Sequence, residues 1–186
     1  PDKANANFVA GYGYPMRNDH PDYPAITIGG YMLGGGFLNS RLATRIRQKD
    51  GLSYGVGGRF YASSLDENGG FSANAIYNPE NVEKLEKAFR EEIERAAKDG
   101  FTPEEFDAAK SGWLKSQKVN RSGDAAMAGK LNQYLFLGRN MNWDADFENK
   151  VDKLSVAEVN AAVKKYLDYS KMIVVKAGDF KKTAKP

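Results

Sequence analysis

The chain has 186 residues, 41% hydrophobic and 27% charged, with a formal net charge of +3 at pH 7. That length suits one domain with a real core, and so slight a positive charge does not by itself argue for nucleic-acid binding. Cysteine is absent, which excludes disulfides and thiolate zinc sites, and no apolar run approaches the roughly 20 residues of a membrane helix.

The chain opens on Pro1-Asp2-Lys3, without Met and without a charged-then-apolar leader. It is therefore expected to be a piece of a longer polypeptide, with any targeting signal outside it. Residues 5–14 alternate, with Ala6, Phe8, Ala10 and Tyr12 on one side, as in a half-buried strand. A polar loop around His20-Pro21 leads to a helix expected over residues 22–33. Its adjacent Gly29 and Gly30 weaken it by about 1 kcal/mol each against alanine, and such a pair usually lets something pack very close.

The triple glycine Gly34-Gly35-Gly36 then marks a tight turn or a close backbone approach. Asn39 or Ser40 can cap a second helix, whose apolar face is Leu38, Leu42 and Ile46. Arg41 and Arg45 share another face, and Arg47 lies near the helix end. Gly51 suits the left-handed position that follows. A strand over residues 54–62 and another over 71–77, joined by a turn carrying Asn68-Gly69, make an antiparallel hairpin.

Asn78-Pro79-Glu80 starts a helix with the stripe Val82, Leu85, Phe89, Ile93 and Ala96, running to Gly100. Thr102-Pro103-Glu104-Glu105 and Ser155-Val156-Ala157-Glu158 are capping boxes that open two more helices. Between them lie a helical stretch over residues 125–137, with apolar Met127, Leu131, Tyr134 and Leu135, and a short helix over 144–154. Trp113 and Trp143 are expected in the core or as docking anchors. Residues 172–177 form a last strand, whose Ile173-Val174-Val175 run is consistent with burial on both faces. Residues 181–186 read as a frayed tail. The order predicts an α+β fold: one two-layer domain over residues 1–180, an antiparallel or mixed sheet with helices packed on one face.

The segment from Gly34 to Tyr54 carries a resemblance. Ser40-Arg41-Leu42 followed by Ile46-Arg47-Gln48-Lys49-Asp50-Gly51-Leu52-Ser53-Tyr54 resembles the pitrilysin-type (M16) zinc metallopeptidases, and more narrowly their second, non-catalytic half. The likeness extends from about Asn7 to Asp179. It includes Asp22-Tyr23-Pro24-Ala25, the triple glycine and the closing Val174-Val175-Lys176-Ala177-Gly178-Asp179. The resemblance implies a substrate-binding domain that closes a peptide-degrading chamber with a separate zinc-bearing half, in the same longer chain or another subunit. It implies that Arg47 and Tyr54 bind the main chain of an extended peptide, with Gly34, Gly35 and Gly36 lining the chamber or packing closely. It leans the expected compartment toward the bacterial periplasm or envelope. Some relatives have lost catalysis, so an inactive structural or assembly subunit is the alternative.

On the residues alone, the preferred reading of Arg47 and Tyr54 is structural: a helix-end arginine satisfying carbonyls and a core tyrosine. The resemblance tips the balance toward binding. The family's His-x-x-Glu-His zinc motif is absent; the only histidine is His20, read as a solvent-facing loop residue. No catalytic metal and no cofactor are expected in this chain, and zinc is expected in the partner half. The triple glycine is no phosphate loop, because no Gly-Lys-Ser/Thr follows it. Arg41, Arg45, Arg47 and Lys49 read as a solvated basic face or, more sharply, a positive lining for acidic substrates or a partner. Glu91, Glu92 and Glu94 read as surface. A nucleic-acid-binding role has no recognisable motif behind it.

Overall fold

A computed structural model of the protein describes residues 4–180. Four strands form one sheet: β1 (Ala6–Tyr14), β2 (Ser53–Ala62), β3 (Gly69–Tyr77) and β4 (Ile173–Ala177), in the order β2-β3-β1-β4. Every neighbouring pair is antiparallel. Along β1, Ala6, Phe8 and Ala10 point inward and are buried, while Asn7 and Val9 point out. Phe8 pairs with Ala75 and Ala10 with Ala73. The small inner residues leave room for the rings of Phe8, Phe71 and Phe89, a large-against-small arrangement that fills a core without voids.

Helices cover the inner face: α1 (Tyr23–Gly30), α2 (Val82–Asp99), α3 (Pro103–Asn120), α4 (Asp124–Leu137), α5 (Asn142–Asp152) and α6 (Val156–Tyr166). Both expected capping boxes form, at Thr102/Glu105 and Ser155/Glu158. A side chain at Gly29 would put its Cβ 2.3 Å from Cγ2 of Val163. That gap in side-chain bulk lets α1 and α6 pack together.

The structure departs from the sequence expectation in several places. The helix expected over 22–33 is α1 followed by one wide turn, Tyr31–Gly35, closed by the Gly36 amide donating to the Tyr31 carbonyl at 2.7 Å. The next helix is also wide: in Ala43–Lys49 the Asp50 amide reaches back five residues to the Arg45 carbonyl at 2.9 Å. Leu42 and Ile46 are buried as expected, but Leu38 falls outside this helix and is exposed. β4 is an edge strand, not a doubly buried one: Ile173 is 72% and Val175 55% exposed. The hydrophobic run misled because its outer positions face away from the helices. α4 buries only Tyr134 and leaves Leu135 and Phe136 81% and 77% exposed. Glu92 is buried, because its carboxylate folds back onto Arg95 at 2.6 Å, with Arg45 3.8 Å away. His20 is half-buried rather than solvent-facing; its Nδ1 accepts the Asp22 amide at 3.0 Å and so ties down the entry to α1. The tail at 181–186 lies outside the described residues.

Candidate functional site

Arg47 sits in the last turn of the wide helix Ala43–Lys49. A π-type turn displaces side chains from their α-helical directions and recurs at functional sites. The chain reverses at Gly51, whose φ of 61° is a left-handed conformation that glycine adopts without strain. The Leu52 amide closes the turn onto the Ile46 carbonyl at 2.8 Å, and β2 begins at Ser53.

A β-bulge follows at once. Ser53 pairs with Tyr77 and Gly55 with Ile76, so Tyr54 is the extra residue with no partner of its own. The buried Ser53 hydroxyl holds this irregularity, 2.8 Å from the Gly55 carbonyl oxygen and 2.7 Å from that of Ile76. Bulges re-aim side chains, and here Tyr54 turns outward to 85% exposure. It is therefore no core tyrosine. The Arg47 guanidinium carbon lies 5.2 Å from the centre of the Tyr54 ring, within cation–π range. A guanidinium and a phenol thus stand together at the end of an edge strand. Both donate hydrogen bonds to carbonyl oxygens without reading side chains. Ser53 is the contributor that the sequence reading passed over; a small hydroxyl ahead of the tyrosine was its only signal.

The three glycines do different things. A Cβ on Gly34 would lie 2.3 Å from the Gly58 amide nitrogen, so the wide turn presses backbone against β2. A Cβ on Gly36 would meet the Tyr31 carbonyl oxygen at 2.9 Å, while Gly35 is exposed. Gly34 thereby seats the segment that leads into the Arg47 helix.

The four basic residues do not act as one patch. Arg41 makes a two-pronged pair with Glu105, both contacts at 2.7 Å, donates to the Gly100 carbonyl at 2.7 Å and covers the Phe101 ring at 4.3 Å. The Arg41 guanidinium holds the Glu105 carboxyl below the ordinary carboxylate range, against the opposing effect of burial. Arg45 pairs with Asp50 at 2.6 Å and Glu91 at 3.0 Å, and Asp50 pushes its guanidinium up. These carboxylates neutralise both arginines, which removes the positive-lining reading for them; Arg41 is largely covered, while Arg45 lies on a solvated face beside exposed Asp50 and Glu91.

The outer sheet face is open. One row across it runs Gly57, Asn74, Val9 and Val175, and the next runs Gly55, Ile76, Asn7 and Ala177. Val9, Ile76 and Val175 are exposed on it, and its β2 side ends beside Tyr54. Among the described residues, no group of three or more His, Cys, Asp or Glu side chains is placed to hold a metal ion. No helix among the described residues is long and apolar enough to cross a membrane.

A two-layer α+β domain with helices on one sheet face, a bare second face and a cation–phenol pair at the sheet edge is the class of protein that these features define. Residues 1–112 match the family described as the peptidase M16 inactive domain, and the chain belongs to that family. It is similar to the crystal structure of a peptidase M16 inactive domain from Pseudomonas fluorescens, at 30% identity and a TM-score of 0.81, over 95% of this chain and 41% of that one. It shares the fold of the inactive peptidase domain of a candidate zinc protease from Bordetella parapertussis, at 19% identity and a TM-score of 0.75, over 93% and 92% of the two chains. A curated relative, the non-peptidase homolog YmxG of Helicobacter pylori, is 27% identical over 143 residues, 74% of this chain and 31% of the relative. The chain thus spans less than half the length of the Pseudomonas protein and about a third of YmxG.

Proposed function

We propose that this chain is the substrate-binding, non-catalytic domain of a zinc-dependent metallopeptidase, closing a peptide-degrading chamber with a separate zinc-bearing half. The observation that carries the reading is the half-buried Arg47 guanidinium set against the exposed Tyr54 ring at the bulged start of β2. An extended peptide lying along the open sheet face would offer its carbonyls to the guanidinium and the phenol. Gly55 and Gly57 on that face keep the approach low, while Gly34 keeps the Arg47 segment against the sheet. In a site closed from water, the same donors would steady charge developing on the scissile carbonyl. The metal and its activated water would belong to the other half.

The test pairs this chain with its zinc-bearing half and follows peptide hydrolysis. Arg47→Ala combined with Tyr54→Phe lowers kcat/KM by at least about tenfold, the loss of one or two charge-assisted contacts in the transition state. A change within about twofold removes both residues from the proposed role.

The second reading is an inactive structural or assembly subunit, and the non-peptidase description of the Helicobacter relative favours it. In that case the paired complex forms, yet it hydrolyses no peptide with or without the double substitution.

A further inference from the structure

α4 is anchored from one side, where Tyr134 is buried and Lys130 pairs with Asp144. Its other side is bare. Ala128, Leu131, Leu135 and Phe136 follow the i, i+3, i+7, i+8 spacing of a single helical stripe, and all four are exposed. From Ala125 to Phe136 no exposed position carries a charge, in a chain with 27% charged residues. A helix face that water covers ordinarily carries charged side chains. Single apolar residues at a surface are normal, whereas a contiguous apolar patch marks an interaction site.

The place of this face in the fold narrows its partner. Arg139, just past α4, donates to Asn18 Oδ1 at 2.9 Å, and Asn18 donates to Ser64 Oγ at 2.8 Å. Ser64 lies two residues beyond Ala62, the last residue of β2. The C-terminal end of α4, with Leu135 and Phe136, therefore stands at the far end of β2 from Tyr54. β2 has ten residues, so at about 3.3 Å per residue its ends are roughly 30 Å apart. A half that closes a chamber must touch this chain without covering the peptide, and the α4 face meets that condition. A membrane-surface helix carries several Lys or Arg on its polar face; α4 has one lysine, and Asp144 engages it. A second copy of this chain fits less well. With about 200 Å² for a fully bared aromatic ring, the patch amounts to roughly 500 Å², below the approximately 800 Å² per partner of a stable free-standing complex. It suits one contact of a larger closure.

Resting on the two-half reading above, we propose that the outer face of α4 is where the zinc-bearing half docks, through an uncharged apolar patch of its own. That half is produced as a separate polypeptide and titrated onto the chain, with amide hydrogen exchange of α4 and the Kd of the pair as readouts. The expected result is that α4 amides exchange at least about fivefold more slowly in the pair. Leu135→Glu combined with Phe136→Glu weakens association at least about tenfold. Circular dichroism and the urea midpoint stay those of the parent, because both side chains are exposed. A pair that docks through α4 yet hydrolyses no peptide upholds the surface and removes the peptidase reading. The proposal is overturned by association of the double variant within about twofold of the parent, by α4 exchange that pairing leaves unchanged, or by two polypeptides that do not associate. It is equally overturned if the chain alone dimerises in sedimentation and the two substitutions abolish the dimer, which assigns the face to a second copy.

Discussion

The Arg47 guanidinium carbon stands 5.2 Å from the centre of the Tyr54 ring, across the turn made by Gly51. The pair is built from three local irregularities: a wide helical turn, a left-handed glycine and a bulge held by Ser53. None of them depends on the Tyr54 side chain, which is exposed. Tyr54→Ala therefore leaves the urea midpoint almost unchanged, within about 0.5 kcal/mol. A loss of about 2 kcal/mol or more would return Tyr54 to a structural role.

Gly34 behaves oppositely. Its missing Cβ leaves space for the Gly58 backbone, with 2.3 Å between the atoms in question. Backbone cannot swing aside as a side chain can. Gly34→Ala is expected to destabilise the fold by about 2–3 kcal/mol through overpacking, read by denaturant titration. Gly55→Ala is the control: a Cβ there meets nothing within 4 Å, and stability changes by no more than about 0.5 kcal/mol. Equal effects at the two positions would contradict the close approach.

Glu105 links the Arg47 region to α3, because Arg41 and the Thr102 amide both bond its carboxylate. The Arg41 guanidinium is the main cause of its lowered pKa, relative to an ordinary value of 4.5. A carboxyl depressed in the folded state contributes its full stabilisation above the unfolded pKa and loses it as pH falls through the folded one. Glu105→Gln is therefore expected to cost about 1–2 kcal/mol at pH 7, and the gap to the parent closes progressively below about pH 4.5. A gap that persists unchanged at pH 3 would mean that the charge is not what matters.

α4 is held mainly through the hydrogen bond of Tyr134 to Asp144 and the pairing of Lys130 with the same carboxylate. It buries one residue, whereas α2 buries six. Amides of α4 are expected to exchange hydrogen by local opening, at least about tenfold faster than those of α2. Tyr134→Phe should widen that difference. Matched protection in the two helices would show that α4 is part of the cooperative core.

Most of this architecture was legible in periodicity and capping. The alternation in β1 and in the hairpin, the two capping boxes and the stripe on α2 all reappear where local pattern and packing agree. The sequence failed where a position's environment depends on neighbours far along the chain. The Ile173-Val174-Val175 run reads the same whether its outer positions are covered or bare, and here they are bare. Glu92 on a charged helix looked solvated until Arg95 and Arg45 were placed beside it. Arg47 and Tyr54 were legible only through resemblance. Period-2 patterning put Tyr54 on the same face as Phe60, and a one-residue bulge reversed that.

The division of labour between this chain and a metal-bearing half is tested most directly by peptide hydrolysis with the purified chain alone and after adding that half, each with and without a chelator. The account predicts no chelator-sensitive cleavage by the chain alone and chelator-sensitive cleavage by the pair. Chelator-sensitive cleavage by the chain alone would contradict it.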